Sequence, residues 1–298
     1  MNMREMFVNT TNELINNDKR VALILGGISV ASFTESIEKY PERCFDAGIS
    51  EQADLSIAAG MAITGMIPIF HTIAPFMAER AYEQLKIDFG YQKLGGNFIS
   101  NGSSIDYSSF GATHQCPAEI PILTQIPNMQ IIVPGTPDEF KSLFLSTYDN
   151  GCPTYIRLSR DVNKESRDVR FGEANVIRKG KAVTIIAVGP ILEMVLEAAE
   201  GVDATILYYT TIHPFDANTL IEHSGSGKIL VCEPYYEGAI DYDITSSLKL
   251  NVIIDHCGIP HEFCKHYGTT KENYAAMGLT VENIKEKIEK LVKTPQLS

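Results

Sequence analysis

Apolar and polar positions follow two rhythms along the chain, one helical and one strand-like, and the rhythms alternate. Met6, Phe7, Leu14 and Ile15 recur at helical intervals between Met3 and Asn16, and Asn16-Asn17-Asp18 supplies the turn that ends this first helix. Val21 to Leu25 is an unbroken apolar run opening into Gly26-Gly27-Ile28-Ser29, the pattern of a parallel strand buried on both faces whose C-terminal loop can approach a ligand. From Arg43 to Gly65 an aromatic-acid-small run ends at Glu51, and Ala53, Ile57, Ala58, Met61 and Ala62 then keep the spacing of a buried helix. Glu51 is therefore placed at a helix entrance. Strands are predicted over Met66 to Phe70, Asn97 to Ser100, Gln130 to Val133 and Thr154 to Leu158, with helices over Pro75 to Phe89 and Asp138 to Tyr148. Pro137 stands just before the second of these helices, and Phe140, Leu143 and Phe144 share one of its faces.

From Arg160 to Lys181 the composition turns dense in charge, with few consecutive apolar residues, as a linker would be. A second alternation follows. Its strands are Val183 to Val188, Ala204 to Tyr208, Ile229 to Cys232 and Val252 to Ile254; its helices are Ile191 to Glu200, Asp216 to His223 and Thr280 to Val292. The last helix starts on an N-capping threonine and ends rich in lysine, which suits the helix dipole. Thr294 to Ser298 reads as a frayed tail. The expected organisation is α/β, with two doubly wound domains: residues 1–165 around a parallel sheet, a linker over 166–180, and a smaller domain over 181–298.

Composition narrows the function. The 298 residues exceed what one core usually spans. A formal charge of -12 and the lack of any basic patch argue against nucleic acid. The N-terminus lacks the charged-then-apolar order of a signal peptide, and no apolar run approaches the roughly 18 residues of a membrane span, so a cytoplasmic protein is expected. Six cysteines without a C-x-x-C pair read as reduced, mostly buried thiols. Neither G-x-G-x-x-G nor G-x-x-x-x-G-K-[ST] is present, which leaves Gly26-Gly27 a weak phosphate-loop signal.

Taken alone, Glu51 is a helix-terminal acid stabilised by the dipole. Its surroundings say more. F-D-A-G-I-S-E-Q from Phe45 to Gln52, followed by A-A-G-M-A, resembles the F-x-x-G-I-A-E-Q stretch of transketolases and deoxyxylulose phosphate synthases, enzymes that depend on thiamine diphosphate. The resemblance implies that Glu51 hydrogen-bonds a ring nitrogen of the cofactor's aminopyrimidine. That contact favours the imino tautomer able to accept the thiazolium proton. P-I-F-H-T-I-A-P-F from Pro68 to Phe76 resembles P-x-x-S-T-F-x-x-F, whose aromatics border the pyrimidine; Phe76 matches the second aromatic and Ile73 stands at the first. His71, in the same segment, is expected to touch substrate. G-A-T-H-Q from Gly111 to Gln115 resembles G-P-T-H-Q, which implies that His114 faces the reacting carbons. L-S-R from Leu158 to Arg160 resembles the triplet whose arginine grips a substrate phosphate, which implies that role for Arg160. I-P-N-M-Q-I-I-V-P from Ile126 to Pro134 extends the likeness.

Several departures matter. Phe110 stands where these enzymes carry an acid that reads a sugar hydroxyl, Gly102 stands near the position of a histidine, and Leu25-Gly26-Gly27-Ile28 replaces an often acidic loop. An altered substrate is inferred, with a lost activity as the alternative. No G-D-G metal motif occurs, so the chain looks like the C-terminal subunit of a split transketolase. The diphosphate and its Mg2+ or Ca2+ are then expected on a partner chain, an N-terminal transketolase-like subunit, in an α2β2 heterotetramer. The implied reaction moves a two-carbon ketol unit from a ketose to an aldehyde. A β-subunit of a 2-oxoacid-processing thiamine enzyme and a non-catalytic assembly partner are the alternatives. His256, Cys257, His261, Cys264 and His266 could suit zinc by residue type, but their spacing fits no common finger, and no metal site is assigned. Tyr235 and Tyr236 read as packing or interface residues.

Overall fold

The computed structural model describes residues 1–248 and 251–295; the end of the expected tail, 296–298, lies outside the described residues. The strands are β1 (Val21–Leu25), β2 (Cys44–Asp46), β3 (Ile67–Ile73), β4 (Gly96–Asn101), β5 (Gln130–Ile132), β6 (Pro153–Leu158), β7 (Asn175–Arg178), β8 (Val183–Val188), β9 (Ala204–Tyr209), β10 (Thr211–His213), β11 (Lys228–Tyr236) and β12 (Ile253–Ile259). They form two sheets, in the orders β10-β5-β6-β4-β3-β1-β2 and β12-β11-β8-β9-β7. All pairings between these strands are parallel except β10 with β5 and β7 with β9. Helices cover both faces, so strands such as β1, β6 and β8 are buried at every residue.

Local chemistry sets the helix starts. Asn2 and Glu5 form a reciprocal capping box at Met3–Asn17, Thr136 caps Pro137–Thr147, Asp216 caps Ala217–His223, and Thr280 caps Val281–Lys293. Each cap satisfies amides that the first helical turn leaves without a partner.

Three expectations need correction. The helix expected from Pro75 to Phe89 is broken: wide π-type turns over Phe76–Arg80 and Leu85–Tyr91 flank a short α-helical piece, Tyr82–Gln84. Such turns commonly mark functional sites. The helix Glu51–Ile63 buries Glu51, Asp54, Leu55, Ala58 and Ala59, while Ala53 is exposed and Ile57 is 44% exposed. Its apolar residues surround the whole helix, so their spacing could not identify the inward face. Within the stretch expected to be linker, Asn175–Arg178 forms edge strand β7, paired through Asn175, Val176 and Arg178 with β9.

All six cysteines are free, and five are buried. Among the described residues no helix is long and apolar enough to cross a membrane.

Candidate active site

In the first sheet the chain passes from β1 to β2 on one side and then returns to β3 on the other. A crevice opens beyond the carboxyl ends of the strands at such a reversal, and ligands of open α/β sheets bind there. The segments following β1, β2, β3, β4 and β6 carry the residues described next. Asp46 at the end of β2 ties two of those turns together, accepting from the Gly27 amide at 2.9 Å and the Gly48 amide at 3.2 Å.

Glu51 opens the helix after β2 and its side chain is 1% exposed. One oxygen, Oε2, receives Arg80 Nη1 at 2.8 Å; the other, Oε1, is buried with no partner among the described residues. A buried carboxyl oxygen with no donor is costly, so it marks a position shaped for a donor that the chain itself does not supply. Arg80 also lies over the Phe76 ring, 4.0 Å from its centroid. The π-type turn places Phe76 and Arg80 on one side, and the guanidinium thus links the aromatic ring to the buried acid.

The ring of Phe76 meets His114 edge-on at 5.4 Å. His114 lies 4.9 Å from Phe110 and 6.0 Å from Tyr107, and Arg160 stands over Tyr107 at 5.2 Å. Glu51, Phe76, His114 and Arg160 are therefore joined by a continuous run of contacts. Ile73, half-buried, ends β3 beside this run in sequence. Thr113 Oγ1 is 2.9 Å from His114 Nδ1, so the opposite ring nitrogen is the one left for a ligand.

The loop bearing His114 is held from behind. Ser104 bridges to Cys116, and the Ser104 amide donates to Glu119 at 3.2 Å. Glu119 pairs with Arg157 at 2.7 Å, both fully buried, and accepts the Tyr155 hydroxyl at 2.6 Å. Arg157 in turn donates to the Pro234 carbonyl of β11 at 3.2 Å, joining the two sheets' layers. Asp106 accepts the Arg160 amide at 3.0 Å, and burial pushes its carboxyl up to about 7.

His71 is placed differently from the expectation. It is fully buried on β3 against Phe7, with ring centroids 4.4 Å apart. Its Nδ1 is 2.7 Å from the Ile99 carbonyl, which can only accept, so Nδ1 carries the proton and Nε2 accepts from Ser29 Oγ at 2.9 Å. Burial pushes this imidazole down to about 3. Both nitrogens are engaged, and His71 offers none to a substrate as it stands.

Two residues of this run went unnoticed in the sequence. Arg80 follows Phe76 by four residues, the same-face interval of a helix, and that spacing was its signal. Tyr107 gave none, because only the fold carries its ring over Gly102. The group at 256–266 is dispersed among other partners: His256 lies 3.4 Å from Glu233 and 3.3 Å from Asp241, and His261 stacks on Tyr236. Among the described residues no cluster of three or more His, Cys, Asp or Glu side chains is placed to hold a metal.

Residues 1–164 match the family described as the transketolase pyrimidine binding domain, and residues 172–284 match the transketolase C-terminal domain. The chain belongs to the transketolase family. It is 32% identical over 295 residues to an uncharacterized 33.6 kDa protein in the fasciation locus of Rhodococcoides fascians, covering 95% of this chain and 92% of the relative. It is 26% identical to one subunit of the apulose-4-phosphate transketolase of Actinobacillus succinogenes, covering 87% of this chain and 84% of that one. With 1-deoxy-D-xylulose-5-phosphate synthase of Clostridium acetobutylicum it shares 30% identity over 92% of its own length but only 46% of the synthase, so it spans about half of that enzyme. Among solved structures, a split gene transketolase described as an inactive β4 tetramer superposes with a TM-score of 0.86 at 26% identity, covering 99% of this chain and all of the other.

Proposed function

We propose that this chain is the pyrimidine-binding and C-terminal-domain subunit of a split, thiamine-diphosphate-dependent transketolase, active with a partner chain that holds the diphosphate and its divalent metal. The reaction is transfer of a two-carbon ketol unit from a ketose to an aldehyde. The observation that carries this reading is Glu51: a carboxyl buried at the sheet reversal, one oxygen fixed by Arg80 and the other facing no donor among the described residues. The aminopyrimidine of the cofactor fits that unpartnered acceptor, with Phe76 and Ile73 packing on the ring. When bound, the cofactor supplies the nucleophilic carbon and the electron sink for breaking and making a carbon–carbon bond.

The chain's own residues prepare that chemistry. Glu51 holds a proton at the ring nitrogen, His114 exchanges protons with substrate hydroxyls, and Arg160 binds an anionic substituent. Exposed Ile49, Ile57 and Ile63 around the Glu51 helix support assembly with another chain, two copies of each in this reading, within the cytoplasm.

The test is co-expression with the diphosphate-binding subunit, followed by a thiamine-dependent two-carbon transfer assay. Glu51→Gln is expected to lower kcat at least about 100-fold while leaving the complex assembled. A complex that binds cofactor but transfers nothing, with the variant indistinguishable from wild type, rules out the enzymatic reading.

A further inference from the structure

Around His114 the chain presents an aromatic wall where its relatives are expected to read sugar hydroxyls. Phe110 is 58% exposed, inclined to the His114 ring at 33° and 4.9 Å. Tyr107 meets Phe110 edge-on at 5.7 Å, and its hydroxyl is fixed by Asn101 Nδ2 at 2.8 Å. The place of a side chain at 102 is not left empty. Gly102 has φ +75°, and a Cβ there would collide with the Tyr107 ring. The backbone conformation and the overlying ring both exclude the histidine that sugar recognition would place there. Two positions expected to bear hydroxyl-reading polar groups thus contribute to one aromatic surface. At its edge Arg160 stands over Tyr107 at 5.2 Å, with a main-chain amide anchored on Asp106 at 3.0 Å.

We propose that this wall selects an acceptor aldehyde whose body is an aromatic ring and whose far end is an anion, a carboxylate or a phosphate. The proposal rests on the ketol-transfer reading above. Aromatic faces gain from offset or edge contact with another ring, whereas the Phe110 ring offers no hydrogen-bond partner to the hydroxyls of a polyol. The guanidinium of Arg160 supplies a planar fork for the anion, and His114 lies between wall and cofactor pocket, where the carbonyl would sit. In the transfer, the donor's C2–C3 bond breaks, the hydroxyl on C3 gives up its proton, and C3 leaves as the carbonyl of the released aldehyde. A new bond forms between the two-carbon unit and the acceptor's carbonyl carbon, whose oxygen takes up a proton and becomes a hydroxyl. No oxidant or reductant is consumed.

Recognition can be tested separately from catalysis by calorimetry on the co-purified complex. The probes are 4-(hydroxymethyl)benzoate, an unreactive stand-in for the aromatic acceptor, and glycerol 3-phosphate, a stand-in for a sugar phosphate. The benzoate is expected to bind up to about tenfold tighter, a difference that one aromatic contact can supply. Phe110→Ala should remove that advantage, and Phe110→Asp should reverse the order of the two probes. Arg160→Met should weaken both. Equal or tighter binding of glycerol 3-phosphate by wild type, no binding of either probe, or indifference to Phe110→Ala each overturns the proposal. Failure of the transfer reading has a different signature: the binding preference persists while thiamine-dependent turnover with 4-carboxybenzaldehyde and with glyceraldehyde 3-phosphate is equally absent.

Discussion

At the scale of single residues, burial decides what a titratable group can do. His71 and His114 lie on the same domain, yet one has both ring nitrogens tied within the chain and the other keeps one nitrogen without a hydrogen-bond partner among the described residues. Because burial depresses the His71 imidazole from 6.5 to about 3, the folded state holds it neutral where the unfolded state would protonate it. Stability from this group is complete above pH 6.5 and is lost as pH falls towards 3, by at most about 1.4 kcal/mol per pH unit. Urea titrations at pH 7.5, 6 and 5 should show this slope in wild type and a flatter one in His71→Gln. Equal slopes would contradict the assignment. The sequence showed a histidine in a family-like segment, but not that its ring packs on Phe7 within the domain.

At the scale of elements, legibility depended on whether local pattern or distant contact set the structure. β1 and β8 were read with their observed limits because an unbroken apolar run bounded by turns has few alternatives. β7 was hidden in a charged stretch, since only Val176 and Ile177 carry its apolar character, and an edge strand needs no more. The π-type turns that aim Phe76 and Arg80 were unreadable, because periodicity assumes an even helix. Beneath the His114 loop, the Glu119–Arg157 pair is invisible to any spacing rule: its members come from a short helix and from β6, and both are fully buried. Burial raises the Glu119 carboxyl despite the arginine beside it, so the pair is held at a desolvation cost. Arg157→Met alone should cost about 3–5 kcal/mol by leaving Glu119 uncompensated, whereas Arg157→Met combined with Glu119→Leu should recover much of the loss. Chemical denaturation of these two variants and of Glu119→Leu alone reads this directly, and additive losses would refute it.

At the scale of the whole molecule, the two sheets are not independent. β10 comes after β8 and β9 of the second sheet, yet pairs antiparallel with β5 at the edge of the first. Cutting the chain after residue 165 would strip β5 of that neighbour and expose a row of unpaired amides and carbonyls. Such a fragment should aggregate at concentrations where the full chain remains dispersed, as sedimentation velocity would show. A monodisperse, cooperatively unfolding fragment would count against this dependence.

The crossing of β10 also sets an order of events during synthesis. Residues 21–158 can assemble their parallel core as they emerge, but the edge at β5 is closed only once residues 211–213 have left the ribosome. By then β8 and β9 have emerged as well. The nascent first sheet therefore carries an open edge through roughly fifty further residues of elongation, several seconds at ordinary rates. A chaperone that shields strand edges would find its window in that interval, and slow codons placed between β6 and β10 would lengthen it.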